Sequence, residues 1–263
     1  MSTVWEGKRM HNILTIIRYE YKMQMTRIAT WGLLTAAAVL SLLDNFPSAG
    51  NLHRLEFLAD PMYFIYRVMS QDGLTVAFGL MILLSNRFSV DGKTGVKYLV
   101  MAGPTAKGEY IFGKTIGSFC YTVTVFALFL TADAVIYCLA APFPVAAGIL
   151  FETLIKTISI CVLPVSFFVC FLSTGLPALL DVRFFYAMAA VLFILNTAAV
   201  SSAEAMPFYC ITSGDLVRLI WHHPKWAFTN TGSIQANFIF LTGSGILSLL
   251  LLFAKKSFWR HEA

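Results

Sequence analysis

Charge is what this sequence has least of. Of its 263 residues, 13% are Asp, Glu, Lys or Arg, against 58% that are hydrophobic. A soluble domain carries about 25% charged residues. Mean hydropathy is +0.73. Burying that much apolar surface from water demands a larger core than a chain of this length can build. A soluble globular enzyme is excluded on that ground, and a disordered chain needs the opposite composition. The five cysteines show no CxxC spacing. Four of them (Cys120, Cys138, Cys161, Cys170) fall in apolar stretches, where a thiol acts as a small hydrophobe. No HExxH occurs, and Gly243-Ser244-Gly245 lacks the outer glycine of a nucleophile elbow, so its small residues read as helix-packing positions. His222-His223 are adjacent and point in different directions, which does not suit a shared metal. What remains is a polytopic all-α membrane protein whose apolar surplus faces lipid.

The chain opens with a charged segment, too long to lead a signal peptide. From 12 to 27, Ile13, Ile17, Tyr21, Met25 and Ile28 share one stripe while Thr15, Arg18, Lys22 and Thr26 share another. This predicts a basic amphipathic helix lying on the inner membrane surface. Six spans follow, at about 28–43, 61–86, 109–139, 148–172, 184–201 and 232–254, in one transmembrane domain. Asp60-Pro61 reads as a helix start, with Asp60 as cap and Pro61 in the first turn. The clean apolar run 73–85 reaches only about 20 Å of a hydrocarbon core about 30 Å thick. The second span must therefore include Arg67, Gln71 and Asp72, which should face protein or water. Residues 86–108 read as a basic, Gly-rich loop and 173–183 as a short turn. Pro164 predicts a kink in the fourth span.

Six spans put both termini on one side. Of the 19 basic residues, only Arg54, Arg67, Lys156, Arg218 and Lys225 then lie off that side. Positive charge stays on the cytoplasmic face of short loops, so both termini are expected in the cytoplasm.

One string imitates a phosphate loop. Residues 108–115 match GxxxxGK[ST], but no strand precedes them, Tyr110, Ile111 and Phe112 are bulky, and a membrane span follows. Lys114 reads instead as an interfacial anchor. The charges placed inside spans carry more. Glu152 and Lys156 stand at i and i+4 in the favourable order. Together with Asp133, Arg67 and Asp72 they form either structural ion pairs or the polar lining of a cargo path. Between spans five and six, Thr212 and Asp215 resemble a capping box. Leu216, Leu219, Ile220, Trp221 and Trp226 follow it, which predicts a short helix dipping into the outer interface.

The arrangement resembles the transmembrane subunit of a type-2 ATP-binding-cassette exporter. The resemblance rests on the amphipathic helix, the six spans, and the loop Arg87-Phe88-Ser89-Val90-Asp91-Gly92-Lys93-Thr94-Gly95 running on to Pro104, Lys107, Tyr110, Gly113 and Lys114. Asp91 stands where Glu is more usual. The resemblance implies that residues 91–95 couple to a separate cytoplasmic ATPase, present in two copies and carrying the ATP and Mg that this chain does not bind. It implies a homodimer or a heterodimer with a sister permease, embedded in the cytoplasmic membrane, exporting a hydrophobic or amphipathic cargo such as a peptide, drug or lipid. No nucleic acid is expected. The rival readings are an intramembrane enzyme and an ion-coupled carrier.

Overall fold

The computed structural model describes residues 2–45, 60–103, 105–141, 143–202, 220–221 and 234–255, and the described residues are helical with no strand. The elements are α1 (Ser2–Met25), α2 (Ile28–Asn45), α3 (Pro61–Arg67), α4 (Gly73–Leu84), α5 (Arg87–Lys93), α6 (Val96–Ala102), α7 (Lys107–Ala140), α8 (Ala147–Thr157), α9 (Leu163–Leu179), α10 (Val182–Ser202) and α11 (Ile234–Ala254). Among the described residues, four helical runs are long and apolar enough to cross a membrane: Pro61–Lys93, Lys107–Ala140, Ala147–Leu179 and Gln235–Ala254. A fifth is the bent pair Met10–Met25 and Ile28–Asp44, which meet at 56°; Val182–Thr197 is a shorter apolar helix. The chain is a polytopic helical membrane protein.

The second span starts as its sequence dictates. Asp60 Oδ accepts from the Met62 backbone N–H at 3.0 Å, and Pro61 occupies the first turn. Its polar stretch is wound as a π turn, Val68–Asp72, closed by the Gly73 N–H donating to the Val68 carbonyl. The extra residue turns Asp72 into the protein, while Gln71 stays exposed. A second π turn, Ile158–Val162, sits directly before Pro164. The proline has no N–H to give and would leave a carbonyl unpaired one turn back; the wider turn redistributes those bonds.

Small residues set the helix contacts. A Cβ at Gly175 would lie 2.2 Å from Ser248 Oγ, so α9 and α11 touch there almost backbone to backbone. Farther along the same two helices the rings of Phe168 and Phe240 lie 5.8 Å apart. Both contacts climb in the same chain direction, so α9 and α11 run parallel. Gly113 and Gly117 do the same for α1 against α7: added Cβ atoms would come within 2.9 Å of Ile16 Cγ2 and 2.8 Å of the Ile17 carbonyl. The glycine of the phosphate-loop lookalike is thus a packing glycine. At one end, Lys107 Nζ donates to the carbonyls of Phe253 (2.7 Å) and Lys255 (3.0 Å), and Lys255 Nζ to that of Ala178 (3.0 Å). Lysines so placed satisfy the last carbonyls of α9 and α11. At the other end Phe64 stacks on Tyr137 at 4.1 Å, and buried Trp221 meets Tyr66 edge-on at 5.4 Å.

Four expectations need correction. The turn expected at 173–183 is shorter: α9 continues to Leu179, since Gly175 and Pro177 serve packing and the last turn rather than breaking the helix. The loop at 86–108 holds two helices, α5 and α6. Ile28 is 89% exposed and does not continue the apolar stripe of α1, because the chain bends before it. Trp221 lies inside the protein, where its ring meets Tyr66, rather than dipping into the outer interface. The capping-box residues Thr212 and Asp215, with Leu216, Leu219 and Trp226, lie outside the described residues.

Candidate functional site: a buried charge network beneath a helical hairpin

Four charged side chains converge at the end of the bundle where Lys107 and Lys255 lie. Helix α1 supplies Glu20, α5 supplies Arg87 and Asp91 one turn apart, and α7 supplies Lys114. Their exposures are 3%, 1%, 8% and 2%. Arg87 Nε donates to Glu20 Oε1 at 2.8 Å, and Lys114 Nζ lies 3.6 Å from Glu20 Oε2. Lys114 also pairs directly with Asp91, which accepts a hydrogen bond from the Tyr110 hydroxyl. Gln24 donates to Glu20 Oε1 (2.6 Å) and to Ser118 Oγ (2.8 Å). Lys114 Nζ stands 5.5 Å and 5.7 Å from the ring centres of Phe88 and Tyr110, within cation–π range. Two acids and two bases cancel, which is the condition for burying them at all.

The network fastens three elements that are remote in sequence. It replaces the expected role of Lys114 as a lipid-interface anchor: the ammonium is enclosed because α1 crosses over it through Gly113 and Gly117. A cavity of about 430 Å³ opens beside it, bounded by Tyr19, Glu20, Arg27, Arg87, Asp91 and Lys114. Arg27 lies between α1 and α2; burial, and then the neighbouring Arg87, draws its guanidinium below its ordinary value.

The 91–95 segment divides into two roles. Asp91 faces inward and spends its carboxylate on Tyr110 and Lys114 rather than on another molecule. Gly95 takes a left-handed φ of 77°, which breaks α5 from α6 and suits glycine alone without strain. Lys93 and Thr94 are exposed, and Thr94 Oγ1 donates to the Val90 carbonyl at 2.9 Å. A Cβ at Gly92 would meet nothing within 4 Å, so no part of this chain needs a close approach there. Beyond Gly95, α6 has no buried residue, although its sequence is apolar: Leu99 is 75% exposed and Val96 38%.

The charges expected inside the spans do not form one group. Asp133 is 0% exposed with Ser41 beside its carboxylate, and Asp72, 3% exposed, lies within its electrostatic reach. Arg67 Nη2 donates to the Asp44 carbonyl at 2.9 Å. Glu152 and Lys156 do pair, at 2.6 Å, but their side chains are 65% and 48% exposed. The pair is thus a largely exposed i, i+4 contact on one helix. Among the described residues no His/Cys/Asp/Glu group could hold a metal ion.

Sequence reasoning missed Glu20 and Gln24, and took Arg87 only as the start of the coupling loop. The available signal was Glu20, the one acid between Met10 and Arg27, placed one turn from Ile16 and from Gln24 on the face that packs inward. Compared with models of protein families, with curated proteins and with solved structures, the chain matches none.

Proposed function

We propose that this chain is the permease subunit of an ATP-driven exporter of the type-2 ATP-binding-cassette kind, working as a homodimer or with a sister permease. Two cytoplasmic ATPase subunits power it and carry the ATP and Mg. The cargo is hydrophobic or amphipathic. In this reading there are six spans, both termini are cytoplasmic, and the basic end of the bundle faces the ATPase. One observation carries the reading: α6 holds an apolar surface out from the basic end, while its neighbour α5 is locked into the bundle by four buried charges. A surface that must receive force from a partner has to be exposed, and its base has to be stiff. The docking face is then α6, with Leu99 at its centre, and Asp91 is the anchor of the hairpin.

The experiment is purification of the tagged chain from native membranes, parent against Leu99→Asp. The parent should bring down a protein that hydrolyses ATP. Leu99→Asp should fold and melt as the parent does and should lose that protein. A folded Leu99→Asp that keeps it bound, or a parent preparation with no ATPase in it, counts against the reading.

A second reading, an ion-coupled carrier, draws on Asp133. An intramembrane carboxylate fully buried near a second acid on a π turn is the kind of group that carriers use. Transport that persists with no ATPase in the preparation and fails in Asp133→Asn would favour it.

A further inference from the structure

A cavity of about 550 Å³ lies between α2, α4 and α10, on the outer face of the bundle. Its wall is apolar along most of its length, with Leu33, Phe78, Ala190 and Phe193 contributing. Ile82, at its rim, is 54% exposed. Cavities that hold small molecules run about 300–1,000 Å³ and are mostly apolar, with a few placed polar groups. Here two polar side chains line the wall, Tyr186 at one tip and Thr75 deeper. Ser85 Oγ and Asn86 Nδ2 each lie 3.0 Å from the Tyr186 hydroxyl. That tip adjoins Arg87 and the basic end, so it lies at the membrane interface. From there Thr75, also in the lining, sits about 15 Å deeper at 1.5 Å per residue.

The slot therefore follows the polarity of the leaflet around it: a hydrogen-bonded cluster at headgroup depth, and below it a wall that is apolar except for Thr75. A second protein copy would have to fill a concave slot with a side chain and match its hydroxyl and amide. A lipid already has that shape and is already there. We infer that this slot binds one acyl chain of a glycerophospholipid from the leaflet at the basic end, with an ester oxygen accepting at the Tyr186–Asn86 tip. The inference rests on the membrane reading and not on the ATPase partner. Nothing at the tip selects headgroup charge, since Arg87 beside it is already paired with Glu20.

The test is native mass spectrometry of the full-length protein in detergent, titrated with phosphatidylcholine and, separately, with phosphatidylglycerol. Ala190→Trp fills the slot from its wall, Ile82→Trp blocks its mouth from an exposed position, and Tyr186→Phe removes the hydroxyl. The parent should hold one lipid more tightly than the rest, with either headgroup. Ala190→Trp and Ile82→Trp should weaken that lipid by about tenfold or more, and Tyr186→Phe by less. If Ala190→Trp does not fold, Ile82→Trp decides. Unchanged tight binding in the folded blocking variants overturns the assignment. So does loss of a dimer in those variants with lipid binding intact, because the slot would then belong to a second copy. An ATPase found or missing in the preparation leaves this result untouched.

Discussion

Arg87 and Glu20 are 67 residues apart in the chain and 2.8 Å apart in space, and the bond between them holds α5 against α1. With only seven residues, α5 has few apolar contacts of its own, and the bond is closed to water. Replacing Glu20 with Gln leaves Arg87 and Lys114 facing one carboxylate. Losing one partner of a buried pair costs about 3–5 kcal/mol. Glu20→Gln should lower the melting temperature in detergent clearly, and Glu20→Gln with Arg87→Met should recover part of the loss. A single variant that melts with the parent would show that the pair does not hold the helices.

The contact between Gly175 and Ser248 sets a second test. Gly175→Val has to push α11 away along its backbone, and overpacking of this kind costs about 1–3 kcal/mol. Gly92→Ala faces open space and should melt as the parent does. Thermal unfolding of the two variants side by side separates a packing glycine from a merely permissive one.

The phosphate-loop lookalike yields a third. Gly113 exists for Ile16 and Lys114 for Asp91 and Glu20, so the purified chain should bind no ATP analogue. Gly113→Val should lower stability. Saturable nucleotide binding that Lys114→Ala abolishes would reverse this reading.

Glu152 and Lys156 give a fourth. Their side chains are largely exposed, so Glu152→Gln and Lys156→Met should each melt within error of the parent. A large loss in either variant would mean that a partner chain covers the pair.

Topology can be measured directly. With native cysteines removed, a cysteine at Thr94 should react with an impermeant thiol reagent only after the cells are opened, and one at Thr229 in intact cells. Labelling at 94 from outside would overturn the cytoplasmic assignment of the basic end.

Helix starts and breaks were legible where they rest on local chemistry. The Asp60–Pro61 start needs only a carboxylate two residues before an N–H, and the disturbance at Pro164 needs only a missing donor. The helical hairpin was not legible. Residues 86–108 hold Gly92, Gly95, Gly103 and Pro104, which read as loop until tertiary contacts give α5 a bundle to lean on. The charge network was illegible for a different reason. Glu20, Arg87, Asp91 and Lys114 look like ordinary interfacial charges one by one; only the crossing of α1 over α7 encloses them. Glu152 and Lys156 were legible as a pair, because their spacing alone foretells the bond, but their exposure depends on what packs around the helix.

The parallel course of α9 and α11 fixes a parity. Both helices finish at the end where Lys255 caps Ala178, so the chain leaving Leu179 must travel back to the opposite end before Ile234 can begin. Hydrocarbon tolerates no irregular backbone on that route, because each bare amide there would lack a partner. Helix α10 starts beside the basic end, where Tyr186 meets Ser85, and its 21 residues extend about 32 Å, enough for the crossing alone. An odd number of traverses between two like-directed helices is a constraint of geometry, and it holds whatever the chain carries and whichever partner drives it.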